Sequence, residues 1–134
     1  MRNMLACLSP WMLSLLRCMT GLQFLEHGTQ KYFFIPTSPH GDVHFLSLLG
    51  AQGAIEIVGG VLILLGLFTR PVAFILAGDM AVGYFMVHFP KSFFPALNGG
   101  DAAILFCFVF LYLAAAGGGA FGLDALRAPK PQAD

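Results

Sequence analysis

The sequence predicts an all-α protein, a four-helix transmembrane bundle, and three observations carry the prediction. The chain of 134 residues is 57% apolar and only 10% charged, against about 25% charged residues in soluble domains. With a mean hydropathy of +0.78, that is more apolar surface than a soluble core of this size can hide. Four runs also approach the roughly 20 apolar residues that a membrane crossing requires. None of them alternates with period two, so backbone hydrogen bonds that lipid cannot replace are closed within helices rather than around a barrel.

The first span is expected over about residues 11–34, with Ser9 as N-cap, Pro10 at the first helical position and Trp11 at the lipid–water interface. Met4–Leu16 has the length of a signal peptide. No small-x-small cleavage site follows it, and Arg17 opens a second apolar stretch, so it reads as the first half of a retained span. The second span covers about residues 45–68, after a polar loop, Ile35–His44. Thr69–Arg70–Pro71 reads as a tight turn into the third span, about 71–89. Phe89–Leu97 mixes Pro, Lys and Phe, which suits a segment lying in the interface. The fourth span covers about 99–117. Asn98 stands as its N-cap and Asp101 at N3, a weakened capping box with Asp for the usual Glu. Gly53 and Gly60 on the second span, with Gly78 and Gly83 on the third, allow close helix packing. Residues 1–126 form one domain, and 127–134 a short cytoplasmic tail expected to be disordered.

Lys and Arg placement orients the bundle. Arg2, Arg70, Arg127 and Lys130 share one side and Lys31 and Lys91 the other, so both termini are expected in the cytoplasm. Net charge is zero, which gives nucleic acid no basic field to meet. Cys7, Cys18 and Cys107 stand alone, without a Cys-x-x-Cys pair, a haem-attachment motif or a zinc pattern.

Seven of the eighteen charged or histidine side chains fall in or at the ends of apolar runs: Arg17, Glu26, His27, Lys31, Glu56, Asp79 and His88. Asp101 is an eighth. A charge at the centre of a spanning helix costs about 2.5–3.5 kcal/mol on insertion scales, so these runs are expected to enclose a polar site. Depth places Glu26, His27, Gln30, Lys31, Tyr84, His88, Asn98 and Asp101 in the outer half, Glu56 near the middle, and Arg17 and Asp79 deeper. Helical phase at 100° per residue puts Arg17, Gly21, Phe24, Gly28 and Lys31 on one face, and Gln23, Glu26 and Gln30 on another. Glu56 shares a face with Gly53 and Gly60. Asp79 lies about 180° from His88, so it is expected to face a second subunit or a different neighbour.

Each residue also has a structural reading. Arg17 with Glu56 or Asp79, and Glu26 alongside them, could be buried charge partners that fix helix register. Lys31 could snorkel to the interface, and Asp101 could serve only as a cap. Gln30 and Tyr84 could simply bond between helices. His27 and His88 come from two helices at one depth and could ligate a b-type haem, but spacing supports neither that nor a metal site. A pocket with His, Tyr, Glu and Lys at one depth suits a quinone, whose carbonyl oxygens accept hydrogen bonds and whose reduction needs protons. Its candidate contacts are His27, Lys31, Tyr84 and His88, with Glu56, His88 and Asp101 as candidate proton-transfer groups.

The same residues resemble the DoxX family of small four-helix bacterial membrane proteins. The blocks are RCMTGLQFLEHGTQK from Arg17; Glu56-x2-Gly59-Gly60 followed by LILLGLFTRPVA; YFMVHFPKSFFPALNGGD from Tyr84 to Asp101; and CFVFLYLAAAGGG with Leu123–Asp124. Two departures stand out. Asn98-Gly99-Gly100-Asp101 stands where the family pattern looks like NGGE, which shortens the carboxylate's reach. Ala116-Gly117-Gly118-Gly119 stands for AGPG, and Gly118 is expected to loosen the end of the fourth helix. The resemblance implies a bacterial inner-membrane protein linked to redox processes. Some relatives are components of a thiosulfate:quinone oxidoreductase, and others are grouped with oxidative-stress proteins. The leading expectation is a quinone-linked redox membrane subunit. The alternatives are a non-catalytic anchor or assembly subunit for redox or stress-response enzymes, and a small proton-coupled carrier. The expected partners are the lipid bilayer, redox-enzyme subunits and a second copy of the chain.

Overall fold

The structure, a computed structural model, describes residues 2–37 and 43–127, with side chains from residue 5 onward. The helices are α1 (Arg2–Phe33), α2 (Leu48–Leu65), α3 (Thr69–Gly83), α4 (Pro95–Asn98), α5 (Asp101–Ala116) and α6 (Leu123–Arg127). α3 runs on through a π-helical turn, Tyr84–His88, and a 3-10 turn, Phe89–Lys91. Among the described residues there is no strand. Leu5–Phe33, Leu48–Leu65 and Thr69–Lys91 are long and apolar enough to cross a membrane. α5 is shorter, at 16 residues, or about 24 Å at 1.5 Å per residue. That falls short of the roughly 30 Å hydrocarbon layer.

The helices close a ring in which α1 packs along α2, α2 meets α3, and α3 packs along α5. α1 and α5 meet mainly through aromatic rings, with Phe24 set edge-on to Phe106 at 5.6 Å and to Phe110 at 4.9 Å. The α1–α2 seam is built on glycine. A Cβ on Gly21 would fall 2.8 Å from the Leu64 backbone nitrogen, and one on Gly60 would fall 2.8 Å from that of Leu25. Only hydrogen fits there, and the resulting backbone approach supplies the dispersion contacts that hold helices together in lipid.

The bundle has an apolar core around Phe24, Ile63, Leu76, Phe110 and Leu113, but its outer surface is apolar too and several polar side chains are buried. Leu15, Val58, Phe74 and Phe108 are exposed, while Ser14, Arg17, Lys31, Glu56, Thr69 and Asn98 are inside. Lipid demands this arrangement, because polar groups find partners only in the bundle interior.

Several element ends differ from expectation. α1 begins at Arg2 and passes through Pro10, so Ser9 is not its cap. With no water to satisfy a freed backbone, continuing the helix costs less than ending it at Pro10. The Pro10 carbonyl is used instead, accepting from Ser14 Oγ at 3.2 Å and from the Ala120 N–H at 3.0 Å. α2 is capped by Ser47, whose Oγ accepts from the Gly50 N–H at 3.0 Å, and it ends at Gly66 with φ 66°, a left-handed cap. Thr69 and Pro71 lie inside α3, not in the turn before it. The N-cap of α5 is Gly100 and Asp101 is its first residue, which rules out the capping box. Gly78 faces open space, with nothing within 4 Å of where a Cβ would stand. Part of the 35–44 loop and the tail after Arg127 lie outside the described residues.

Candidate functional site

Two polar layers lie inside the bundle, one at the Arg17 end and one at the Lys31 end. Arg17 is 1% exposed, and among the described residues it has no carboxylate partner, in contrast to the ion pair with Glu56 or Asp79 that the sequence allowed. Its Nη1 donates to the Ile63 and Leu64 carbonyls, its Nε to Gly118 O at 2.9 Å, and its Nη2 to Phe121 O at 2.8 Å. The guanidinium thus closes the last turn of α2, where orphan carbonyls and the helix dipole both favour a cation, and pins the 117–122 loop to it. Arg70 does the same for α5, donating to the carbonyls of Ala114, Ala115 and Ala116. The Asp124 carboxylate accepts from the backbone N–H groups of Phe68 at 2.9 Å and Thr69 at 2.8 Å, capping α3. Partial burial pushes that carboxyl up. The N–H groups of Thr69 and Phe68 and the Arg127 charge outweigh it and hold the group below its ordinary value. Gly118 does not loosen α5: its carbonyl is held by Arg17 and Ser14, and a Cβ there would stand 3.0 Å from Thr69 Oγ1.

At the other end Lys31 does not snorkel. Its Nζ lies 2.7 Å from both carboxylate oxygens of Glu56, with the two side chains 10% and 4% exposed. Gln52 Oε1 accepts from the same Nζ at 3.3 Å. Gln52 stands one turn before Glu56, and this Gln-x3-Glu spacing in an otherwise apolar helix was the sequence signal for it. The lysine stem packs over Gly53, where a Cβ would meet Lys31 Cδ at 3.2 Å.

A cavity of about 350 Å³ opens beside this pair. His27, Gln30, Gln52, Glu56, His88 and Lys91 supply polar groups to its wall, and Phe24, Met80, Val87 and Phe106 the apolar faces. His27 sits at the mouth, its ring edge-on to Phe106 at 5.8 Å. His88 is aimed by its backbone and by Asn98. Its Nδ1 lies 3.0 Å from the Asn98 carbonyl. A carbonyl only accepts, so Nδ1 carries the hydrogen and Nε2 is left to accept or take up a proton.

Asn98 is the organiser of this turn and is 4% exposed. Its Nδ2 donates to Ser92 O at 2.9 Å and to Tyr84 Oη at 3.3 Å, while its Oδ1 accepts the Gly100 N–H at 2.7 Å. Tyr84 is set behind the wall. Its ring stacks on His88 and lies against Gly100, where a Cβ would fall 2.5 Å from it.

The π-turn alters the helical phase. Its inserted residue holds the helix back by about one residue's rotation, roughly 100°. Counting at 100° per residue therefore does not carry across it. His88 lines the cavity and Asp79 does not; Asp79 stands against Gln52 of α2, a different neighbour, within electrostatic reach of Lys31 and Glu56. Glu26 is exposed on α1 and is not a buried partner. Asp101 is exposed as well and lies outside the cavity wall, which α5 lines through Ala102, Ala103 and Phe106.

A family model described as DoxX matches residues 12–89. A protein described as uncharacterized, from Haemophilus influenzae (strain Rd), is 44% identical over 120 residues, covering 86% of this chain and 90% of its own. No solved structure matches. With the family model covering more than half of its length, the chain belongs to the DoxX family.

Proposed function

We propose that this membrane protein is a quinone-binding subunit of a redox system, placed in the bacterial inner membrane with both termini in the cytoplasm. One observation carries the reading: a cavity in which flat apolar walls, Phe24 and Phe106, are edged by His27, His88 and the amides of Gln30 and Gln52. Its volume of about 350 Å³ lies at the low end of the roughly 300–1,000 Å³ typical of small-molecule sites. That is room for a substituted ring, with any tail left in lipid.

The residues present fit such a ring. His27, Gln30 and Lys91 offer donors to carbonyl oxygens. His88 Nε2 accepts a hydroxyl, and Glu56 supplies a carboxylate already held by Lys31. A bound quinone would supply two-electron, two-proton chemistry. The chain's own part is to orient the ring, exclude water and hold protons at His88 and Glu56, with electrons passing to or from a redox-enzyme partner. A carrier fits less well, because the Arg17 hydrogen bonds close the far end of the bundle.

The test is titration of purified protein in nanodiscs with a short-chain quinone, followed by calorimetry. Saturable binding that weakens about tenfold in His88→Ala is expected, the loss of one hydrogen bond at the upper end of its usual range. Absence of binding in the unaltered protein refutes the reading. If a soluble redox enzyme then co-purifies in stoichiometric amount, the anchor role stands in its place.

A further inference from the structure

Asp79 stands behind the cavity rather than in its wall, and the proposed ligand contacts make no use of it. The titratable and charged groups around it are few. Among the described residues, α1 brings Lys31 and α2 brings Glu56 with the neutral Gln52. α5 lines the neighbouring cavity through Ala102, Ala103 and Phe106, none of them titratable.

Lys31 is already committed. An ammonium has three donors, and the three contacts of Nζ are the two oxygens of Glu56 and Oε1 of Gln52. With its oxygen turned to Lys31, Gln52 can present only its N–H groups to α3, and Nε2 does lie over Gly83, one turn beyond Asp79. Those N–H groups lie within reach of the Asp79 carboxyl group. Its Oδ2 is buried with no hydrogen-bond partner. The cluster thus sets two carboxyl groups against one ammonium, inside a bundle that lipid surrounds. An ionised carboxylate with a bare buried oxygen and no cation of its own is relieved by taking up a proton.

We propose that Asp79 is a proton-holding site, carried as the neutral acid, and that Lys31, Glu56, Gln52 and Asp79 form one electroneutral unit behind the cavity. The unit holds one exchangeable proton whatever ligand the cavity takes, so it stands or falls apart from the quinone reading. Release breaks the Asp79 O–H bond and forms a bond from hydrogen to the acceptor. It leaves a carboxylate that shares Lys31 with Glu56, so no electrons move.

The charge count fixes the outcome of substitution. Infrared spectra of the full chain in nanodiscs at neutral pH, in water and in deuterium oxide, report protonated carboxyl groups by their C=O stretch. Asp79→Asn, which copies the shape and neutrality of the acid, should remove the intensity of one carboxyl group. Glu56→Gln should also remove one, because Asp79 then ionises to pair with Lys31. Lys31→Met should add one, since both acids become neutral. Unchanged intensity in Asp79→Asn overturns the proposal, and that variant is expected to fold. A gain rather than a loss in Glu56→Gln overturns it too.

Discussion

Breaking the Lys31–Glu56 pair should cost more when one charge is removed than when both are. The two Nζ–O distances of 2.7 Å correspond to an attraction of about 6 kcal/mol at an effective dielectric of about 20. Desolvation of two nearly buried ions takes back several kcal/mol each, so the pair adds little net stability to the bundle. A single substitution removes the attraction and leaves the desolvation of the survivor in place, which typically costs about 3–5 kcal/mol. Here the low end, about 3 kcal/mol, is expected for both single variants: in Glu56→Gln the nearby Asp79 ionises to pair with Lys31, and in Lys31→Met the Glu56 carboxyl takes up a proton instead of staying charged. The double variant Lys31→Met/Glu56→Gln has neither charge and should fall within about 1 kcal/mol of the unaltered protein. Reversible unfolding by steric trapping in bicelles measures all four corners of the cycle. If the double variant loses as much as the two singles together, the side chains act independently and the reasoning fails.

Arg17→Lys keeps the charge but loses the planar fork that reaches four carbonyls. We expect a loss of about 2–4 kcal/mol, read as a lower Tm in detergent, and a Tm change of only a degree or two would refute the role assigned to those bonds. Gly60→Ala forces a methyl group onto the Leu25 backbone and should cost about 1–3 kcal/mol. Gly78→Ala, with open space around it, should stabilise by about 0.5–1 kcal/mol through helix propensity, and unfolding of the two variants side by side checks the contrast. Asp124→Asn should cost about 1 kcal/mol at neutral pH as a weakened cap of α3, less where solvent screens it. Since the folded carboxyl sits below its ordinary 3.8, the advantage of aspartate is fully present above that value. It fades as pH falls through the lower folded value. A gap between the two proteins that widened in acid would contradict the assignment.

How much of this could be read from the sequence varies with the physics of each element. Arg17, Gly21, Phe24, Gly28 and Lys31 were legible as one face because a single hydrogen-bond ladder runs unbroken beneath them, and every one of them is buried. The angle between Asp79 and His88 was not legible, because counting at 100° per residue assumes that same ladder and the π-turn interrupts it. The partners of Arg17 left no trace in the pattern, since backbone carbonyls carry no side-chain signature. Lys31 was open to a snorkelling reading until the tertiary fold showed an acid at the right distance. Gln52 did carry a signal, one turn from Glu56. Tyr84 was counted among the ligand contacts on depth alone, whereas the missing side chain at Gly100 lets its ring lie back against the chain.

The carbonyl cage around Arg17 has an electrical consequence. A cup stoppered at its base has one mouth, so a proton that enters beside His27 and His88 leaves by the same opening. If the proposed redox role holds, protons taken up and released there carry no charge from one aqueous phase to the other. Turnover in sealed vesicles should then be electrically silent when the electron partner docks on the side of that mouth, and should respond to the membrane potential when it docks on the other.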